Sequence, residues 1–322
     1  MPRHLRSAAV HILACLVLLG AWSCRDGSAA SATDSGAREP DKKVVVCTTT
    51  MIGDIVRAVA GGTAEVHVLF GPTVDPHLFR ATRDDVQQLM AADLVFYNGF
   101  GLEGYLEPTF RRVAESGIDL VAVAESILKG DEAMQDAGVS DPHVWMDPHL
   151  WARTAPLVAE ALGRLLPDSA GLPGRAADTN ARILALDSFA REAIATIPES
   201  ARTLVTAHDA FRYFGRRYGL RVEGIQGLST ASEGGLQALE SLVDLLVDER
   251  IPAVFFESTV SERNVKALIE GAAARGHRVV LGGTLHSDAP GSAGNYEAMM
   301  KHNISTIATA LRGDSTATEA LK

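Results

Sequence analysis

VVVCTTTMIGDIVRAVAGGTAEVHVLF, residues 44–70, reads as a complete β-α-β unit. Val44, Val45 and Val46 form a continuous apolar run, the pattern of a strand buried on both faces. Ile52 to Ala60 is amphipathic with a helical period and ends at Gly61-Gly62. Val66 to Phe70 supplies a second strand. Two buried strands separated by one helix and short connections imply a parallel sheet.

The same alternation continues in both directions from Phe70. A loop holding Gly71, Pro72 and Pro76 leads to a helix at Arg83–Ala91, a strand at Leu94–Tyr97, a strand at Leu120–Val123 and a helix at His149–Leu166. Arg175 to Ile197 is one long helical stretch between Pro173-Gly174 and Pro198, with Leu184, Leu186, Phe189 and Ile194 as its apolar stripe. Alternation then resumes. Strands are expected at Leu204–Thr206, Val222–Gln226, Ala253–Phe256 and Arg278–Leu281, and helices at Leu236–Asp248, Glu262–Arg275 and up to Leu311. The fold class is therefore α/β, with an amino-terminal lobe over 44–170, a linking helix over 171–198 and a carboxy-terminal lobe over 199–322.

Bulk numbers agree with two lobes. The chain has 322 residues, and domains run to roughly 100–200 residues each. Hydrophobic residues make up 47% and charged residues 22%, an ordinary soluble composition. Acidic residues outnumber basic ones 40 to 30, and aromatics are only 6%, so neither phosphate contacts nor base stacking is favoured and no nucleic-acid partner is expected. The 3 cysteines cannot build a disulfide framework.

Residues 1–23 read as an export signal. Arg3 and Arg6 precede an apolar run of 11 residues, Ile12 to Trp22, whereas a membrane-spanning helix needs about 20. Ala21-Trp22-Ser23-Cys24 resembles a bacterial lipobox, with Ala21 where Leu or Val is usual, and makes Cys24 the residue to be lipidated. Ordinary signal cleavage is the alternative. Loss of 1–23 removes two arginines and no acid, moving the formal charge from −10 to −12. Cys47 then reads as a buried strand thiol. Residues 24–43 are small and polar and form a flexible tether, placing the protein outside the cytoplasm, in a periplasm or on a membrane surface.

Chemistry in open parallel sheets collects beyond the carboxyl ends of strands. Asp75-Pro76-His77 follows the second strand, and the same tripeptide recurs as Asp141-Pro142-His143. Thr206-Ala207-His208-Asp209 caps the first strand of the second lobe, and Gly282 to Asp288 caps its last. Two such segments per lobe can converge in a cleft, and imidazoles with one carboxylate suit Zn²⁺, or Mn²⁺ and Fe²⁺ when the carboxylate is bidentate. Each segment also has a structural reading, since a lone histidine at a strand end is usually hydrogen-bonded and Asp-Pro favours turns. His286 competes with Asp288 as fourth donor. His67 falls within a strand, and His149, His277 and His302 fall on helix or loop surfaces.

Asp75-Pro76-His77, Asp141-Pro142-His143-Val144-Trp145-Met146-Asp147, Thr206-Ala207-His208-Asp209-Ala210-Phe211 and Asp288 together resemble the solute-binding lipoproteins of zinc and manganese ABC transporters, the TroA/ZnuA-like group, over Val44 to Leu311. The resemblance implies two Rossmann-like lobes joined by a rigid backbone helix, with a metal between them held by His77, His143, His208 and Asp288. Glu257, in Phe255-Phe256-Glu257-Ser258, is implied to stand behind the site. It also implies capture of Zn²⁺ or Mn²⁺ as cargo, delivery to a cognate membrane permease, a monomer and no enzymatic activity.

The resemblance leaves the cargo divided. The zinc branch carries a histidine-rich loop in its first lobe, and Glu125 to Ser140 has none; the manganese branch often has Glu where this chain has His208. A site of three imidazoles and one carboxylate holds Zn²⁺ more tightly than Mn²⁺ in vitro, which puts zinc slightly ahead. Two other classes stand beside this reading. A metal hydrolase would need a base such as Glu257 or Glu223, but no His-Glu-x-x-His motif is present. A surface adhesin would bind matrix protein without metal. Gly99-Phe100-Gly101 and Gly282-Gly283 complete no nucleotide-binding loop.

Overall fold

The computed structural model describes residues 42–231 and 235–313. The export signal, Cys24, most of the tether and residues 314–322 lie outside the described residues. Among the described residues no helix is long and apolar enough to cross a membrane.

The amino-terminal lobe is built on β1 (Val44–Cys47), α1 (Thr50–Ala60), β2 (Glu65–Val68), α2 (Arg83–Met90), β3 (Leu94–Tyr97), α3 (Glu107–Glu115), β4 (Asp119–Ala122) and α4 (Val123–Ile127). Its strands form a sheet ordered β2-β1-β3-β4, parallel throughout. β1 is central and wholly buried because each of its faces meets a helical layer. Val45 and Cys47 point into one core with Ile52, Val56 and Val59 of α1, while Val44 and Val46 point into the opposite core with Leu89 and Phe110. Thr49 caps α1 by accepting from the Ile52 N–H, and Gly61 ends it at φ 57°, a backbone that suits glycine.

A small antiparallel hairpin, β5 (Gln135–Asp136) and β6 (Val139–Ser140), leads into α5 (Pro148–Trp151) and α6 (Thr154–Leu165). The expected single helix from His149 is therefore two, broken at Ala152-Arg153. The long helix is α7 (Leu172–Ala195), 24 residues. It starts ahead of the predicted Arg175, since Pro173 sits in the first turn, where a missing N–H costs nothing. Its stripe also differs from expectation. Leu184 and Phe189 are 36% and 38% exposed, and the buried face is Ala176, Thr179, Ile183, Leu186, Ala190 and Ile194. Small residues and a threonine on that face hid the period.

The second lobe runs β7 (Thr203–His208), α8 (Arg212–Tyr218), β8 (Arg221–Gln226), α9 (Leu236–Asp248), β9 (Ala253–Glu257), α10 (Arg263–Ala274), β10 (Val280–Leu285) and α11 (Tyr296–Arg312). β7 pairs β8 and β9 pairs β10, both parallel, with β7 running beside β9. β10 continues through Gly282-Gly283, which the sequence suggested as loop. A bulge there shifts the register, and a Cβ on Gly282 would come 2.5 Å from the Phe255 ring, so glycine lets strand and ring approach. The fold is α/β with two lobes of parallel sheet joined by one long helix, as expected. One apolar core contains Val45 and Trp151 of the first lobe, Ile183 and Ala190 of α7, and Phe255 and Met300 of the second. Continuous packing of this kind opposes large hinge motion.

Candidate metal centre

The four donor segments reach the cleft by different local routes. His77 lies in the β2–α2 loop, and Asp288 lies just beyond β10. His208 is the last residue of β7. His143 departs from the strand-end expectation, because α4 and the β5–β6 hairpin stand between it and β4. Both Asp-Pro-His segments use the same turn, with Asp75 Oδ1 accepting the His77 N–H and Asp141 Oδ1 the His143 N–H, each at 2.9 Å. The turn reading and the donor reading of the repeat are thus compatible, since the aspartate makes the turn and the histidine faces the cleft.

One donor atom from each of His77, His143, His208 and Asp288 lies within 4.8 Å of the others, and all four residues are buried. His77 Nε2 is 3.3 Å from His143 Nε2, His143 Nε2 is 3.4 Å from Asp288 Oδ1, and His208 Nε2 is 3.3 Å from Asp288 Oδ2. A tetrahedron with ion–donor bonds of about 2.0–2.1 Å has edges of about 3.3–3.4 Å. Among the described residues, neither Asp288 oxygen nor His208 Nε2 has a hydrogen-bond partner of good geometry. Buried polar atoms left this way are costly unless a ligand meets them. His286 does not join them; its Nδ1 lies 3.0 Å from Ser258 Oγ and its ring beside His302.

Carboxylates stand behind two of the imidazoles. Asp141 Oδ1 also accepts from His143 Nδ1 at 2.8 Å. Glu257, at the end of β9, accepts the His208 backbone N–H at 2.7 Å and sets its other oxygen 2.6 Å from His208 Nδ1. Each arrangement leaves Nε2 facing the cleft and raises its basicity. Burial works against a charged His143, but the hydrogen bond to Asp141 and the contact with Asp288 outweigh it and push its pKa up to about 9. Burial is likewise overcome at His208, by Glu257 and Asp288, and its pKa rises well above the ordinary value. Among the described residues His77 has no such carboxylate, and burial takes it down to about 3. Burial would raise Asp288, but the charge of His208 and the contacts with His143 and His208 hold it well below the usual carboxylate range.

Several supports were invisible as such in the sequence. Trp145 Nε1 donates to the Ser287 carbonyl at 2.8 Å and Tyr296 donates its hydroxyl to the Trp145 carbonyl at 2.7 Å, tying the His143 loop to the Asp288 loop. Asn98 Nδ2 donates to the Pro142 carbonyl at 2.9 Å. The orienting role of Asp141 had a readable signal in its repetition two residues before a histidine. The Trp145 and Asn98 contacts are long-range and had none.

A family model described as zinc-uptake complex component A, periplasmic, matches residues 45–310. The chain is 42% identical over 287 residues to the manganese-binding lipoprotein MntA of Bacillus subtilis, covering 87% of this chain and 94% of that one. It is 40% identical over 314 residues to the zinc-binding protein TroA of Treponema pallidum, covering 93% and 98%. The solved structure of that periplasmic zinc-binding protein superposes with a TM-score of 0.81 at 41% identity, covering 84% of this chain and 99% of the other. With a metal-competent donor cluster in the cleft of the same two-lobed fold, the chain belongs to the ZnuA family of metal-binding solute-binding proteins of ABC transporters.

Proposed function

We propose that this chain captures Zn²⁺ or Mn²⁺ as cargo through His77, His143, His208 and Asp288 and passes the ion to a membrane permease. The observation that carries this reading is the cluster of Nε2 and carboxylate atoms at 3.3–3.4 Å spacing, with both Asp288 oxygens lacking other partners among the described residues. Three imidazoles and one carboxylate suit four-coordinate Zn²⁺, and a carboxylate with both oxygens available also suits a harder ion that takes it bidentately. Relatives are named for zinc and for manganese, in keeping with a donor set that serves either.

Capture is a matter of donor geometry rather than bond making. Asp141 and Glu257 hold two imidazoles with Nε2 forward, so binding an ion requires little rotation of those rings. The bases that a hydrolase would need are spent elsewhere, Glu257 on His208 and Glu223 on Arg221 at 2.8 Å. Binding of the ion draws both lobes onto one centre, and the core running through α7 restricts the response to small tilts and loop adjustments. Cleavage before Cys24 and lipidation there would tether the domain by residues 24–43 to the membrane that holds the permease.

Elemental analysis with competition titration of metal-stripped protein tests the reading. One tight equivalent of Zn²⁺ or Mn²⁺, lost in His143→Ala, is the expected result; a wild-type protein that retains no stoichiometric metal would overturn it.

A further inference from the structure

His77 is held differently from the other imidazoles. His143 and His208 each have a carboxylate that meets both the backbone N–H and Nδ1. Among the described residues, Asp75 meets His77 through the backbone N–H alone, at 2.9 Å, and its second oxygen accepts the hydroxyl of Thr230 at 2.7 Å. Thr230 lies in the β8–α9 loop, so the group that orients Asp75 belongs to the opposite lobe. His77 is also the imidazole nearest solvent, at 7% exposure against 0% for His143 and His208, and Leu78 beside it is 49% exposed.

Asp75 is held at both oxygens, one by the His77 N–H and the other by the Thr230 hydroxyl, and a single rotamer keeps both bonds. The Thr230 hydroxyl therefore fixes the Asp75 rotamer, and Asp75 fixes the turn that carries His77. We propose that Thr230 is a positioning residue, acting through Asp75 on His77, that sets the rate at which the bound cation leaves the cleft. This rests on the reading of His77 as a metal donor. Loss of the hydrogen bond between Thr230 and Asp75 is then the event that frees His77.

The test is release of Zn²⁺ from the purified protein into excess chromogenic chelator, followed by stopped flow. Thr230→Val keeps the shape of the side chain and removes the hydroxyl; it is expected to speed release about tenfold, the scale of one lost hydrogen bond to a charged group, with the association rate unchanged. Thr230→Ser restores the hydroxyl and should return release to the wild-type rate, an outcome that loop packing alone would not produce. In a His77→Ala background, Thr230→Val should leave the zinc Kd unaltered, because the residue through which it acts is gone. Equal release from Thr230→Val and wild type, or an undiminished effect without His77, would overturn the proposal while leaving the metal site standing. A wild-type protein that binds no zinc would overturn the site and this proposal together.

Discussion

Glu257 holds His208 twice, accepting its backbone N–H at 2.7 Å and placing its other carboxylate oxygen 2.6 Å from Nδ1. The strand end is thereby held by a hydrogen bond and the imidazole by a close charge contact from one side chain, with Nε2 turned toward Asp288. Glu257→Gln preserves size and one acceptor but removes the charge behind the ring. We expect a 10–100-fold loss of metal affinity, the usual effect of losing a partner behind a ligating histidine, with the fold retained. Competition titration measures it, and unchanged affinity would show that Glu257 serves β9 alone.

Proton release should accompany binding. His143, with its pKa pushed up to about 9, and His208, raised well above its ordinary value, both carry protons near neutral pH in the metal-free protein. An ion at Nε2 requires the neutral ring, so binding expels those protons and apparent affinity rises with pH up to about 9. His77, at about 3, is already neutral and contributes none. Calorimetry in buffers of different ionisation enthalpy should find about two protons released per ion at pH 7. No dependence on buffer would contradict the assignment of both rings as charged.

The legible part of this fold was its periodicity. β1 announced itself through three consecutive valines because both its faces are covered, and the Asp-Pro-His repeat announced the loops because turn chemistry is local. The buried face of α7 was hidden by Ala176, Thr179 and Ala190, which pack closely without looking apolar. From the residues alone His286 competed with Asp288 as fourth donor and only the resemblance favoured Asp288; the course of β10 past Gly282-Gly283 was hidden because paired glycines read as loop. Thr230 carried no signal at all, since its partner lies 155 residues away.

Asp288 supplies the only carboxylate oxygens in the donor cluster, both without other hydrogen-bond partners among the described residues. Asp288→Ala should therefore weaken Mn²⁺ more than Zn²⁺, because the harder ion depends more on oxygen donors. Parallel titrations with the two metals would show the ratio of affinities moving toward zinc by about tenfold or more. Equal losses would count against Asp288 as a donor.

Stability in acid should depend on Asp187, a residue of α7 held by arginine and tyrosine side chains of α8. From α7 it accepts two hydrogen bonds from Arg217 at 2.9 Å and one from the Tyr218 hydroxyl at 3.0 Å, with Arg191 at 3.2 Å. Burial alone would raise its pKa, but the hydrogen bonds and charge of Arg217 dominate and lower it to about 2. A carboxylate whose folded pKa lies below its unfolded value of about 3.9 contributes stability above that value and loses it as pH falls through about 2. Asp187→Asn should lower Tm at pH 7 by about 3 °C, a shift on the scale of one lost charged hydrogen bond. The gap to wild type should close as pH falls from 4 toward 2, because the native carboxylate is neutralised over the same range. Thermal melts across that range decide it: a gap that stays constant would mean that Asp187 acts by packing and not by charge.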